Sequence, residues 1–380
     1  MIHDAVVVGA GSAGLSCAHT LQDGGADFVL VSDTLGGRIC YSADEGVNFG
    51  AYFVMANYHN AEKLITRRTR IDPLSCRFHD GRGKSFPTLS LNTLRRAPGF
   101  AVFGAVMANF IRHYERFKKD CEYMSQREAM ERDPYIARLF HQPAERLIAH
   151  YRLGKVAEDY VSKFSYACTG VDMGTITALD FLNVCQGLVL PIHRFSFDEK
   201  AELGRLGDHF VRGVVTGHSV TDDGLHTVEL ADGSTVQAAN VVFATPPVVT
   251  AEFLGLGEVR QTCQLYVVHA WGRLRPVFAD QEMNLFPFTS PVIFTARQDD
   301  GSFLIYSRLP EIDLSEYFIE HEVISRKGWT KAMYVQGRAY IEQQYGDSTY
   351  VAGDHNGLGL EPTAITGVYA AHQVLNKLAR

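Results

Sequence analysis

The chain has 380 residues, of which 46% are hydrophobic and 21% are charged, and its net charge is −7 at pH 7. This composition is typical of a globular protein, and the length favours two domains. The acidic balance does not favour nucleic acid as a partner, because nucleic acid needs a basic face. The sequence contains no stretch of about 20 apolar residues, which is the length needed to span a bilayer.

The seven cysteines are scattered and form no C-x-x-C pair. This usage indicates reduced thiols, without a redox disulfide or a zinc site. No secretory signal fits before the first predicted strand, which begins near residue 4. We therefore expect a cytoplasmic protein.

The N-terminus predicts a β-α-β unit. Residues 5–8 are a buried parallel strand, residues 15–21 a helix, and residues 28–31 the next buried strand. The turn between strand and helix reads G-x-G-x-x-G, the pattern of a dinucleotide site in its required context. We expect the first glycine to form the turn, the second to admit a pyrophosphate, and the third to let the helix pack closely. The turn and helix start that would hold the pyrophosphate comprise Gly9, Gly11, Ser12, Ala13 and Gly14.

An acidic side chain should follow the second strand and accept hydrogen bonds from ribose hydroxyls. Ser32 follows the predicted strand directly, whereas Asp33 lies about 20 residues beyond the glycines. Either residue could meet the ribose, and we favour Asp33.

Residues 88–188 predict a mostly helical insertion. Within it, residues 97–111 are apolar and flanked by basic residues. They predict a buried helix or, alternatively, a surface helix that contacts a membrane or lines the entry to an apolar site. Strands return after Pro191, with a predicted strand at 211–215, hairpins to residue 237 and further strands over 262–310. A last strand near 349–354 precedes a helix from about residue 362.

The residues after the second strand resemble a known flavoenzyme motif. Leu35-Gly36-Gly37-Arg38-Ile39 resembles the G-G-R motif of flavin amine oxidases and phytoene-desaturase-like flavoenzymes. The resemblance implies that both glycines approach the flavin diphosphate and that Arg38 contacts phosphate, with which its guanidinium can pair in a bidentate way.

Further segments resemble the same superfamily in the same order. Residues 46–51 resemble its stretch near the isoalloxazine, and residues 244–247 resemble its A-T-P-P exit from the FAD domain. Residues 352–354 resemble its G-D motif, whose aspartate contacts the ribityl chain, and residues 361–367 resemble a helix start that points at the flavin O2 side. The additional cofactor residues implied are Gly50, Ala51, Val215 (adenine), Gly353, Asp354, Glu361, Pro362 and Thr363.

The resemblance implies an α/β fold with FAD as the cofactor. We expect a discontinuous Rossmann-type FAD-binding domain over residues 1–75, 190–260 and 325–380. An interleaved α+β substrate domain would comprise residues 76–189 and 261–324.

Three departures from the family pattern bear on the interpretation, and the first is that Ser32-Asp33 replaces the usual glutamate after the second strand. Residues 265–271, before Arg275-Pro276, lack the lysine that amine oxidases keep near the flavin N5. The sequence also contains no S-G-G-C segment, so we expect no thioether link to flavin. It contains no second G-x-G-x-x-G, so we expect no NAD(P)H domain. The electrons should therefore come from the bound substrate and leave to oxygen, a quinone or another acceptor.

These patterns predict an FAD-dependent oxidoreductase that removes hydride from a C–C or C–N bond of a small, largely apolar molecule. The alternatives are a flavin-dependent isomerase without net redox and a non-catalytic flavoprotein scaffold or partner subunit. The sequence does not identify the catalytic residues, because hydride transfer to a flavin needs little assistance from side chains. The candidates are His193, Trp329 and Tyr334, and His355 and Asn356 follow the G-D motif; each could instead serve packing or a hydrogen bond to solvent.

Overall fold

The apolar run at the N-terminus forms the middle of a parallel sheet. The structure, a computed structural model, describes residues 2–279 and 281–379. The helices are α1 (Ser12–Asp23), α2 (Leu91–Arg95), α3 (Ala97–Asp120), α4 (Gln126–Arg132), α5 (Pro134–His141), α6 (Ala144–His150), α7 (Gly154–Val156), α8 (Ser162–Thr169), α9 (Ala178–Cys185), α10 (Glu199–Leu206), α11 (Pro247–Leu254), α12 (Pro276–Ala279) and α13 (Leu360–Leu378).

In the part of the chain that the structure describes, four of the five sheets contain three or more strands, and the fifth is a short hairpin. The strands are β1 (Ile2–His3), β2 (Ala5–Ala10), β3 (Phe28–Leu35), β4 (Tyr41–Ser42), β5 (Val47–Asn48), β6 (Val54–Met55), β7 (Thr66–Arg70), β8 (Cys76–His79), β9 (Ser85–Pro87), β10 (Ile192–Ser196), β11 (Phe210–Arg212), β12 (Val215–Val220), β13 (His226–Leu230), β14 (Thr235–Ala238), β15 (Val241–Phe243), β16 (Gln261–Leu274), β17 (Met283–Leu285), β18 (Val292–Arg297), β19 (Phe303–Ser307), β20 (Phe318–Gln336), β21 (Gln344–Tyr345) and β22 (Thr349–Val351).

The sheet that positions the site has the order β11-β3-β2-β15-β22-β21. Every neighbouring pair is parallel except the last, so the carboxyl ends of β3, β2, β15 and β22 meet along one edge. Ligands of open α/β sheets bind outside this kind of edge. The mixed α/β fold class predicted from the sequence is confirmed.

Two predicted strand boundaries were wrong. The second strand does not end at residue 31, because Leu35 pairs with Ala10 beyond a bulge and Ser32 pairs with Arg212. Ser32 and Asp33 therefore lie inside β3 and do not follow it. The predicted strand over 211–215 is two strands, β11 and β12, which belong to different sheets.

A second large sheet, with the order β20-β16-β19-β18-β17-β8-β9, stands against the 40–55 region of the chain. The helical insertion predicted over 88–188 is present as α2–α9. In α3 one face is buried through Phe103, Met107 and Phe110, in agreement with the prediction of a buried helix at 97–111. Among the described residues, no helix is both long and apolar enough to cross a membrane.

The predicted C-terminal helix begins at Leu360, two residues before its expected start. It crosses α1 so closely that a Cβ on Gly367 would lie 2.0 Å from the carbonyl oxygen of Ala13. This contact packs the second turn of α13 against the start of α1. The division into the two predicted domains stays a prediction.

Candidate cofactor site

The glycine turn after β2 has the geometry that its three glycines predict. Gly9 has φ +102°, and a Cβ there would lie 2.6 Å from the carbonyl oxygen of Ala244. A Cβ on Gly14 would lie 1.8 Å from the carbonyl oxygen of Gly9. At Gly11 nothing lies within 4 Å of the position of a Cβ. The turn is therefore tight on its inner side and open at the glycine expected to admit a pyrophosphate.

Helix α1 presents free donors at this opening. Its first internal hydrogen bond joins the amide of Leu15 to the carbonyl of Gly11, so the amides of residues 12–14 have no acceptor within the helix. The hydroxyl of Ser12 donates to the carbonyl of Leu360 at 3.1 Å, which ties the starts of α1 and α13 together. Amides at a helix start, with the helix dipole behind them, suit an anion.

Ser32 and Asp33 lie near the carboxyl end of β3. The carbonyl of Ser32 accepts from the amide of Gly213, and the carbonyl of Asp33 accepts from the guanidinium of Arg212 at 2.9 Å. The side chain of Asp33 is exposed and accepts only from its neighbour Thr34 at 3.2 Å. Its carboxylate is available, and its ribose contact stays a prediction.

Arg38 and Asp354 form a bidentate ion pair between the two motifs that carry them. The guanidinium nitrogens lie 2.5 and 2.8 Å from the two carboxylate oxygens, and a further N–H reaches the carbonyl of Ala332 at 3.2 Å. Burial acts to raise the pKa of Asp354, but the charge and hydrogen bonds of Arg38 outweigh it, and the pKa lies below its ordinary value. Because the Arg38 side chain keeps 32% of its surface exposed, it can also reach a phosphate.

Two buried polar atoms beside this pair have no partner. The hydroxyl of Tyr334 is one, although the residue is only 1% exposed. The other is Nδ1 of His355, a residue 3% exposed. Buried polar atoms normally find a partner, so each points to a group that completes it.

The imidazole of His355 is neutral and has one unpartnered nitrogen. Burial lowers the pKa of His355 to about 4, so the ring is neutral near pH 7. Nε2 lies 3.1 Å from the hydroxyl of Thr250, which is itself placed to donate to the carbonyl of Thr245 at 3.2 Å. The unpartnered Nδ1 donates or accepts according to the tautomer of the ring. A Cβ on Gly353 would lie 2.9 Å from Nδ1, which places this nitrogen beside the G-D motif.

The Gly36-Gly37 turn and the 46–51 segment lie against this edge. A Cβ on Gly37 would lie 3.1 Å from the Cα of Gly11, and a Cβ on Gly50 would lie 1.9 Å from the carbonyl oxygen of Arg38. Ala51, next in the chain, donates its amide to that same carbonyl at 3.0 Å. These close backbone contacts bring together the segments that the resemblance implied.

Side chains from the seven-stranded sheet hold the 46–51 segment in place. The hydroxyl of Tyr306 reaches the carbonyls of Asn48 and Gly50 at 2.8 and 3.2 Å. The indole N–H of Trp329 donates to the carbonyl of Phe49 at 2.8 Å. No local pattern predicts the role of Tyr306, because its contacts join residues more than 250 positions apart.

The remaining cofactor candidates lie at the same edge or beside it. The carboxylate of Glu361 is buried and accepts from the amides of His59, Asn60 and Ala61. Pro362 and Thr363 occupy the first turn of α13, and Val215 begins β12. A cofactor contact by any of these residues stays a prediction.

The three catalytic candidates do not form one group. Trp329 and Tyr334 share β20 near Arg38 and Asp354. His193 lies on β10, paired with β6 and β7, where burial and the charges of Arg67 and Arg70 lower its pKa. Asn356 is 4% exposed and joins Gln126 to Ile341, which is a packing role.

The strand that carries a lysine in amine oxidases has no lysine here. The buried side chains of β16 include no lysine, and burial raises the pKa of the Cys263 thiol to about 11. They are Cys263, Leu265, Val267, Val268, His269, Ala270 and Leu274. The nearest lysine along the ladder, Lys327, pairs with Val267, is exposed and lies 5.2 Å from the ring of Trp329. The described geometry contains no lysine in the expected place.

Taken together, the residues at the carboxyl edge fit FAD. The open glycine and free amides suit the diphosphate. Arg38 and Asp354 offer a phosphate donor and a hydroxyl acceptor, and the orphaned atoms of Tyr334 and His355 offer two further hydrogen-bonding positions.

Comparisons with known proteins agree with this geometry. Residues 4–46 match the model of an FAD-binding domain. A putrescine oxidase triple mutant is similar at 13% identity and TM-score 0.70, over 99% of this chain and 98% of its own. Cyclohexylamine oxidase from Brevibacterium oxydans IH-35A is similar at 14% identity and TM-score 0.65, over the whole of both chains.

A third similar structure is a CLA-producing fatty acid isomerase from P. acnes, at 13% identity and TM-score 0.64, over 96% of this chain and 97% of its own. No curated protein matches the chain significantly in sequence. The chain therefore has the fold of the flavin amine oxidases, and its N-terminal segment indicates FAD as the cofactor.

Proposed function

We propose that the protein is an FAD-dependent oxidoreductase that accepts hydride from a C–C or C–N bond of a small, largely apolar molecule. The observation that carries the proposal is the convergence of the glycine turn, the Arg38–Asp354 pair and the orphaned atoms of Tyr334 and His355 at one sheet edge. FAD, when bound, supplies the hydride acceptor. The protein binds it, orients the substrate and excludes water.

Aromatic side chains pack behind the 46–51 segment, and the proposal of an apolar substrate rests on the missing lysine and the helical insertion rather than on this packing. Tyr52 packs against Phe294 and Tyr306 with ring centroids 5.4 and 6.3 Å apart, and Phe53 packs against Phe164 at 6.0 Å. The missing lysine on β16 argues against the amine chemistry of the oxidases with the same fold. Because the sequence shows no second dinucleotide motif, we propose oxygen or a quinone as the electron acceptor.

A flavin-dependent isomerase is the second candidate. It is favoured by the fold shared with a fatty acid isomerase, since that fold supports apolar substrates without net redox. The third candidate is a non-catalytic flavoprotein scaffold.

Anaerobic mixing of the purified flavoprotein with a panel of fatty acids, terpenoids and hydrophobic amines tests these proposals. Bleaching of the flavin absorbance, with a product two hydrogens lighter, supports the oxidoreductase. A product of unchanged mass identifies the isomerase. If no compound bleaches the flavin or is converted, the scaffold replaces both enzymatic proposals.

A further inference from the structure

Three leucines at the start of the helical insertion point into solvent. Leu89, Leu91 and Leu94 are 70%, 75% and 71% exposed, and we call them the leucine patch. Single exposed leucines are common on soluble proteins, but three such side chains within six residues form a contiguous apolar surface. Val102, 41% exposed, follows on α3.

The polar side chains of the same segment form hydrogen bonds with the protein, so the leucines face the solvent. The hydroxyl of Thr93 lies 2.9 Å from that of Tyr160, and the amide of Asn92 donates to Asp159 at 3.0 Å. Ser90 caps α2 by accepting from the amide of Thr93. Helix α2 is therefore inverted, with its polar side chains against the protein and its apolar side chains in solvent. An ordinary surface helix has the opposite arrangement.

The segment that carries the patch is basic in sequence, although the whole chain is acidic. Residues 81–114 contain no Asp or Glu, whereas the whole chain carries a net charge of −7. The facing segment brings Glu158, Asp159 and Lys155, and Asp159 is paired with Arg96 at 2.6 Å. The basic residues of the 81–114 segment are Arg82, Lys84, Arg95, Arg96 and Arg112.

We propose that the leucine patch docks on an anionic lipid surface. Its leucines would enter the interfacial region of the bilayer, and Arg95 with the neighbouring basic residues would meet acidic headgroups. In a symmetric dimer, residues 81–114 of the two copies would face each other, and they contain no Asp or Glu that could pair with their basic residues. The basic charge of this segment therefore favours a lipid occupant over a second copy. The alternative prediction for residues 97–111 was a surface helix that contacts a membrane. Because α3 buries one face in the protein, we place the membrane contact at residues 89–94 instead.

Sedimentation of the full-length flavoprotein with lipid vesicles tests the proposal. Vesicles of phosphatidylcholine are compared with vesicles containing about one-third phosphatidylglycerol. We expect binding to the anionic vesicles that weakens with added salt, and weaker binding to the neutral ones. The triple variant Leu89→Ser/Leu91→Ser/Leu94→Ser should lose about tenfold or more in partition coefficient. Arg95→Glu should lose binding to anionic vesicles only.

Leu309→Ser is the matched control, because Leu309 is 50% exposed outside the patch, and it should bind as the unchanged protein does. Thermal melts show that each variant is folded. The proposal is overturned if the unchanged protein stays in the supernatant with both vesicles, or if the triple variant binds equally well. Dimers that only the triple variant loses, without vesicle binding, would identify a second copy as the occupant. No step of this test depends on turnover, so its failure leaves the proposed chemistry untouched.

Discussion

The carboxyl edge of the six-stranded sheet and the seven-stranded sheet that faces it are built by different means. The edge is made mostly of backbone, with glycines where a Cβ would meet a carbonyl oxygen. The facing sheet contributes side chains, namely Tyr306, Trp329 and Tyr334, which reach across to the edge or its loops. The first region tolerates few residue types at each position, whereas the second depends on which side chains the fold brings together.

The largest effect should come from filling the glycine turn. Gly14→Val places a branched side chain where even a Cβ would lie 1.8 Å from the carbonyl oxygen of Gly9. We expect loss of bound FAD and a destabilisation of about 3 kcal/mol or more, measured by flavin absorbance and urea unfolding. The matched control is Gly104→Ala, since Gly104 lies in α3 with nothing within 4 Å. It should keep FAD and gain roughly 0.5–1 kcal/mol. Full flavin content in Gly14→Val would contradict the backbone account.

The next effect concerns His355 and appears only in acid. The pKa of His355 is lowered from 6.5 to about 4 by burial, so between these values the unfolded chain binds a proton that the folded protein does not. Stability is therefore lost as pH falls from about 6.5 to about 4, by about 3 kcal/mol. His355→Gln should remove this part of the loss in urea titrations at pH 7 and pH 4. The buried His226, with its pKa lowered to about 4, leaves a remaining slope.

His59→Gln, which changes an exposed imidazole, is the control and should leave the loss between pH 7 and pH 4 as it is. The assignment of His355 as a buried neutral ring is wrong if His355→Gln keeps the full pH dependence.

Breaking the ion pair that links the two motifs should have a smaller effect. Asp354→Asn leaves Arg38 without its carboxylate, and we expect a loss of about 2 kcal/mol at pH 7, moderated because Arg38 is partly exposed. The pKa of Asp354 is lowered by Arg38, so its contribution is present above the ordinary carboxyl range and is lost as pH falls through the lowered value. The two proteins should therefore converge in stability well below pH 4. A constant gap down to pH 2 would argue against the ion pair.

The smallest effect tests a side chain of the facing sheet. The Tyr334 hydroxyl has no partner in the described structure, so Tyr334→Phe should leave the stability of the flavin-free protein unchanged or slightly higher. FAD affinity should fall several-fold, by about 1 kcal/mol, if that hydroxyl binds the cofactor. Fluorescence titration measures the affinity, and equal dissociation constants would remove Tyr334 from the site.

The contrast between the two regions explains how much the sequence predicts. The glycine spacing and the apolar strands before and after it are local patterns, and they predicted the β-α-β unit and its open turn. The extension of β3 to Leu35 depends on pairing with β2 and β11, which no local pattern shows. Arg38 and Asp354 form their ion pair although they are 316 positions apart in the chain. Only the resemblance to the flavoenzyme motifs predicted that both residues contact the cofactor.

The outer surface was harder still to predict. Residues 89–94 mix apolar and polar side chains, and this pattern does not say which side faces the protein. Tyr160 and Asp159 decide it by binding Thr93 and Asn92. The direction of the leucines is therefore a property of the fold.

Titration of the flavin-free protein with FAD, followed by calorimetry, tests the central claim most directly. The account predicts saturable binding at a single site, abolished in Gly14→Val and retained in Gly104→Ala. The absence of binding heat in the unchanged, folded protein would contradict the assignment of the sheet edge as an FAD site.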